Sequence, residues 1–230
     1  MSTLLALETT DKNGSIAFFR DGEPVLARAL PPKQRSAQTL AAEIRKLLDF
    51  CAISPREIDV VAVNTGPGSF TGLRVGVVTA KMFAYACGAK LVGVDTLLTI
   101  AVGIDATTGA VAIVSTAVDA QRGEVVAQTF SLSTDGLLPK ALDAARRIPL
   151  SEWFEAAMQT GAVLASPVLA RRAPQVPGGL SMVDERYWQP NASATGRIAL
   201  ERVRVGAFDD PWTMEPVYYR LAAAEERRQG

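Results

Sequence analysis

The chain reads as an α/β protein of two lobes, and three observations lead there. Short, β-branched apolar runs alternate with longer segments of helical periodicity as far as Gly103, in the order β-β-β-α-β-α-β-α. A second pair of strands after residue 110 repeats the way the chain begins. At 230 residues the chain can bury roughly 70% of the surface its unfolded form exposes, enough for one large core or two modest ones. The expected lobes are residues 1–105, and 106–230 with a C-terminal tail.

The elements justify themselves in order. "TLLALETT", "SIAFFR" and "VLARAL" are short apolar segments separated by "DKNG" and "RDGEP", and Asn-Gly and Asp-Gly between such runs are hairpin signals. They predict an antiparallel meander. In "SAQTLAAEIRKLLDFC", Leu40, Ile44, Leu47, Leu48 and Cys51 fall on one face at helical spacing, with Ser36 as candidate N-cap. Ser54 and Glu57 then form a capping-box pair over a very short turn. "IDVVAV" has the uninterrupted β-branched character of a buried parallel strand. A helix follows from Thr71 to Cys87, and "AKLVGVDTLLTIAVG" adds a strand and a short helix capped by Asp95.

In the second half, "AVAIVSTAVDAQRGEVVAQTFSLS" predicts two strands joined through "DAQRG". Beyond Asp135 the periodicity weakens: "SEWFEAAMQ" and "ASATGRIALERVRVG" read as helices, "AVLA" and "LSMV" as short strands, and "RRAPQVPGG" as loop. Trp153 and Phe154 are expected in the core, Tyr218 and Tyr219 with Arg220 are expected to anchor the tail, and "EERRQG" reads as a solvated end.

Composition closes off several function classes. Lys plus Arg equals Asp plus Glu at 24 each, so no overall basic field exists to hold nucleic acid through its phosphates. Cys51 and Cys87 are too few for a disulfide framework and read as packed, reduced thiols at helix ends. The first residues lack a basic stretch and reach charge well before the roughly 20 apolar residues a membrane span requires, which predicts a cytoplasmic protein with no membrane partner. Histidine is absent, which removes the usual general base, the commonest metal ligand and every Ser-His or Cys-His pair. A protease would need a metal or an activated nucleophile, and Ser69 has no such base.

The most distinctive stretch is "NTGPGSFTGLRVGV", Asn64 to Val77. A Walker loop requires Lys and then Ser or Thr after its last glycine, whereas Gly72 is followed by Leu73 and Arg74. A dinucleotide fingerprint requires G-x-G-x-x-G, and the spacing of Gly66, Gly68 and Gly72 is one residue too long. Two readings remain. One is a strand-to-helix turn capped by Ser69 or Thr71, in which Pro67 fixes one φ and the glycines permit unusual backbone angles and close approach, with Gly68 and Gly72 expected at positive φ. The other is a helix start that attracts an anion.

"GPGSFTGLRVG" resembles, nearly residue for residue, the signature of the bacterial TsaB (YeaZ) family, and the resemblance continues through "AVDAQRGEVVAQTF", "EPVYYR" and the opening "LLALETT". It implies an actin-like, sugar-kinase-type (ribonuclease H-like) fold with two lobes. It also implies a non-catalytic scaffold that pairs with the catalytic subunit TsaD, and works with the accessory ATPase TsaE, to make N6-threonylcarbamoyladenosine beside the anticodon. Contact with tRNA would then be indirect, through the complex. Many relatives carry Asp where this chain has Glu8, and His near the start of the first helix, where it has Arg35 and Ser36. Glu8 and Asp119, after equivalent first strands, are the candidate cofactor-binding acids of a degenerate cleft. No cofactor is expected in the isolated chain, and ATP or ADP only in the partner complex. A small-molecule kinase or ATPase of the same fold is the alternative.

Family members pair through first-lobe helices, which places the partner interface on Gly68, Gly72, Arg74, Val75, Gly76, Thr79, Lys81, Met82 and Phe83. In this reading the small residues Gly72, Gly76, Thr79 and Ala80 admit a partner helix, with Arg74 and Lys81 at the polar rim, and the same face holds a homodimer when TsaD is absent.

Overall fold

The structure, a computed structural model, describes residues 2–31, 36–104, 111–133 and 138–219, and the side chains of residues 36 and 37 are not among those described. The cap expected of Ser36, together with Arg35, Arg220 and the end segment "EERRQG", therefore lies outside the described residues.

Two compact units are present: residues 1–99 with 190–216, and residues 100–189 with 217–230. Residues 190–216, which the sequence places in the second lobe, belong with the first unit. That segment carries a helix with a thick stripe of small and apolar residues, which needs a sheet face to cover it.

The first unit is a mixed five-stranded sheet, ordered β3-β2-β1-β4-β5. Its meander consists of β1 (Thr3–Glu8), β2 (Ser15–Arg20) and β3 (Glu23–Ala29). β4 (Val60–Gly66) pairs parallel to β1, and β5 (Lys90–Asp95) pairs parallel to β4. Asp21 and Gly22 both have positive φ (53° and 87°), the tight hairpin that Asp-Gly favours. The Asn13-Gly14 pair does not make a second such turn. Instead β1 and β2 are joined by the longer loop 9–14, in which Thr9 and Thr10 are buried.

Side-chain alternation sorts the sheet's two faces. Leu5, Leu7, Ile16, Phe18, Val61 and Val63 share one core with α1 (Ser36–Phe50) and α2 (Phe70–Cys87). The α1 stripe Leu40, Ile44, Leu47 and Leu48 is buried there, and Cys51 is half-buried against it. The capping box of Ser54 and Glu57 closes a single 3-10 turn before β4, and Asp95 accepts from Leu98 N–H at 2.8 Å to cap α3 (Thr96–Gly103).

The returning helix, called α6 below, is Ala192–Arg204, capped by Asn191 through Ala194 N–H at 2.9 Å. Gly196 lies so close to the Phe19 ring that a Cβ there would overlap it. A buried chain of amides and hydroxyls ties this side together: Thr195 Oγ1 donates to Asn64 Oδ1 at 2.5 Å, and Asn64 Nδ2 donates to Thr99 Oγ1 at 2.8 Å. Past the helix, the chain folds back along β5. Asp209 N–H donates to Leu91 O at 2.8 Å, the Asp209 carboxylate takes Gly93 N–H at 2.7 Å and pairs with Arg202 at 2.9 Å, and Met214 is buried.

The second unit repeats the opening pattern. β6 (Ile113–Gln121) and β7 (Glu124–Ser131) form an antiparallel pair, as β1 and β2 do, with Gln121, Arg122 and Gly123 all at positive φ in the turn. Two short strands missed in the sequence, β8 (Lys140–Ala141) and β9 (Arg146–Pro149), pair with β7. α4 (Leu150–Thr160) buries Trp153 and Phe154 as expected, and the Trp153 indole donates to Ser115 Oγ at 2.8 Å. β10 (Val163–Ala165) lies parallel to β6. "LSMV" makes only the isolated bridge from Met182 to Leu164, and the "RRAPQVPGG" stretch, expected as loop, opens inside α5 (Leu169–Arg172) and a 3-10 turn.

Candidate functional site

The glycine stretch joins β4 to α2, and its geometry separates the two readings left open by its composition. Ser69 caps α2 by accepting from Gly72 N–H, and the αL residue Gly88 closes the other end. Gly68 and Gly72 do not have the positive φ expected of them; that conformation falls on Gly66, at 132°. Their lack of a side chain answers crowding instead. A Cβ on Gly68 would sit 2.6 Å from Thr10 Cβ, one on Gly72 would overlap the Thr9 carbonyl oxygen, and one on Gly76 would overlap Thr9 Oγ1. Thr9 Oγ1 also donates to Gly72 O at 2.8 Å, and Ser69 N–H donates to Thr10 O at 2.8 Å. The start of α2 is therefore bolted to the loop that follows β1.

This corrects the expected interface. Gly72 and Gly76 are buried inside their own lobe, where they admit the 9–10 loop and no partner helix, while Gly68 and Thr79 are half-buried. Val75 and Phe83 pack against the first-unit core. Lys81 is half-buried and donates from Nζ to Met214 O at 3.0 Å, so its charge holds the returning segment and is no free rim group. Arg74 is exposed and stacks 3.9 Å from the centroid of the Phe70 ring.

The outward face of α2 is a different stripe. Val78, Met82 and Tyr85 stand at successive helical turns, 57%, 61% and 70% exposed, and the returning segment adds Trp212, 76% exposed, edge-on to Tyr85 at 5.6 Å. Of these four, only Met82 was among the expected interface residues. Tyr85 and Trp212 were missed, because their placement depends on how the segment after α6 crosses the helix. Apolar side chains gathered this way are the usual mark of a surface that another protein covers.

The two candidate acids lie in different units and different surroundings. Glu8 is fully buried; burial pushes its carboxyl up to about 8 from an ordinary 4.5, against two hydrogen bonds from Thr10 that favour ionisation, with Asp11 raising it further. Asp119 is exposed and accepts from Gln121 N–H at 2.7 Å, capping its own hairpin turn. Among the described residues no group of three His, Cys, Asp or Glu side chains could hold a metal ion, and no helix is long and apolar enough to cross a membrane.

The mixed sheets, the paired hairpin units and the covering helices define an actin-like, ribonuclease H-like α/β protein. The fold is that of YeaZ from Pseudomonas aeruginosa, with a TM-score of 0.77 at 22% identity over 95% of this chain and 100% of that one. Residues 32–158 match the family model described as "TsaD: tRNA N6-adenosine threonylcarbamoyltransferase". Two relatives bear the name tRNA threonylcarbamoyladenosine biosynthesis protein TsaB. That of Bacillus subtilis is 30% identical over 66% of this chain and 65% of its own length, and that of Escherichia coli is 31% identical over 58% and 57%. The chain belongs to this TsaD-type family and, within it, to the TsaB (YeaZ) group. The matched stretch spans less than two thirds of either curated relative.

Proposed function

We propose that the chain is a non-catalytic scaffold subunit that pairs with TsaD, in the cytoplasm, for threonylcarbamoyladenosine modification of tRNA beside the anticodon. The observation that carries this reading is the exposed apolar stripe of Val78, Met82 and Tyr85, extended by Trp212, on the helix that follows the family's glycine signature. A surface of this kind is costly to leave in water and suits a partner's apolar helix. The residue inventory supports a scaffold over a catalyst: the chain has no histidine, Asp119 is engaged in its own turn, and Glu8 is buried with its carboxyl disposed to stay neutral.

In this account TsaD supplies the chemistry and the contacts to tRNA, TsaE supplies ATP turnover, and any ATP or ADP site arises only in the assembled complex. A second copy of the chain occupies the α2 face when TsaD is absent. Co-expression with TsaD of the same organism tests the pairing: the two chains should elute together. Sedimentation of the chain alone should show a dimer that added TsaD converts to a heterodimer. Separate elution of the two chains would refute the pairing.

A further inference from the structure

The Glu8 carboxyl is fully buried, and Oε1 accepts from both the Thr10 backbone N–H, at 2.6 Å, and the Thr10 hydroxyl, while among the described residues Oε2 has no partner. A carboxylate with one oxygen unpartnered in the core would be an uncompensated charge, whereas a neutral carboxylic acid leaves only one polar group unpaired. The residue it holds, Thr10, receives Ser69 N–H, and the adjacent Thr9 donates to Gly72 O and fills the space left by Gly72 and Gly76. A continuous set of contacts thus runs from Glu8 through the 9–10 loop to the first two turns of α2.

We propose that Glu8 is a positioning residue, which in its neutral form fixes the 9–10 loop and through it the N-terminal turns of α2, so that its ionisation loosens the seat of that helix. The charged groups around it do not offset this. Asp11 in the same loop opposes ionisation, β4 beside it carries no ionisable residue, and its register partner Ser15 is neutral. On α2, Arg74 stacks on Phe70 and Lys81 bonds Met214 O; on α6, Arg197 is exposed, while Arg202 and Arg204 pair with Asp209 and Glu201.

The sign of the pH dependence follows from a folded-state value of about 8 against the ordinary 4.5. Between those values the unfolded chain has released a proton that the folded chain keeps. The group's contribution is therefore full below 4.5, declines as pH rises, and is lost once pH passes about 8. That the effect reaches a docked partner rests on the proposed use of α2.

The test is hydrogen exchange of the Ser69–Val75 amides and melting temperature, from pH 5 to 9, on wild type, Glu8→Gln and Thr10→Ala. At each pH the wild type is compared with Glu8→Gln, which cancels the intrinsic pH dependence of exchange. The inference predicts that wild type loses protection at the start of α2 and loses stability relative to Glu8→Gln as pH rises from about 5 towards 8, roughly tenfold in exchange rate per pH unit at the steepest, and that the loss levels off above about 8. Thr10→Ala, lacking a bond that favours ionisation, should carry that loss on to higher pH before it levels off. Parallel pH profiles in wild type and Glu8→Gln would overturn the inference. Binding of TsaD is measured on the same samples: failure of wild type to bind at every pH would refute the docking reading, while the exchange profiles alone decide the role of Glu8.

Discussion

Thr9 is the residue against which the family's glycine signature is built, and its two oxygens make different demands. Gly76 faces the Thr9 hydroxyl, while Gly72 faces the Thr9 carbonyl, which no substitution can remove. Adding a methyl group at either glycine should cost about 1–3 kcal/mol through overpacking. A double-mutant cycle then separates them: Thr9→Ala should recover much of the loss in Gly76→Ala and little of that in Gly72→Ala. Equal recovery by both, measured by denaturant unfolding, would contradict this assignment. The glycines were legible in the sequence as glycines that had to be glycine, but the residue that crowds them was not. Positive φ is a local property that a motif can advertise, whereas crowding by Thr9 depends on a contact across more than sixty positions of chain, |i−j| = 63 for the Thr9 to Gly72 bond.

At the scale of elements, the helices and strands with strong periodicity were readable, because each buries one face against one sheet. α1, β4 and the hairpin of β6 and β7 fall where the apolar pattern places them. The short strands β8 and β9 were not, since a two- or four-residue strand with largely exposed side chains has no period to detect and is formed by pairing with β7. The outward face of α2 was only half legible. Val75 and Phe83 share the helix's apolar character with Val78 and Met82, and only the sheet and α1 decide which are covered. Val78→Arg and Met82→Glu, both at exposed positions, should change stability by no more than about 0.5 kcal/mol, yet abolish co-purification with TsaD. Trp212→Ala should weaken that pairing by roughly 2 kcal/mol if the indole is a central anchor, measured by calorimetry. In the second unit, Ser115→Ala strands the buried Trp153 indole N–H and should cost about 1–3 kcal/mol in unfolding without affecting partner binding.

For the whole molecule, the order of elements and the duplication of the opening hairpin carry the fold, and both can be read along the chain. What cannot be read is that residues 190–216 go back to the first unit. Local pattern shows α6 as amphipathic; only Phe19 and Asn64, far away in sequence, make its small residues Gly196 and Thr195 necessary. This return also brings Trp212 to Tyr85 and completes the apolar face on which the proposed pairing rests. The most direct test is threonylcarbamoylation of tRNA reconstituted from TsaD, TsaE and this chain, supplied with an activated threonylcarbamoyl donor and run with the wild type, with Met82→Glu and with the chain omitted. A scaffold role predicts full modification with wild type, and loss on omission and with Met82→Glu although that variant is folded. Modification that proceeds undiminished without the chain, or threonylcarbamoyl transfer by the chain alone, would contradict it.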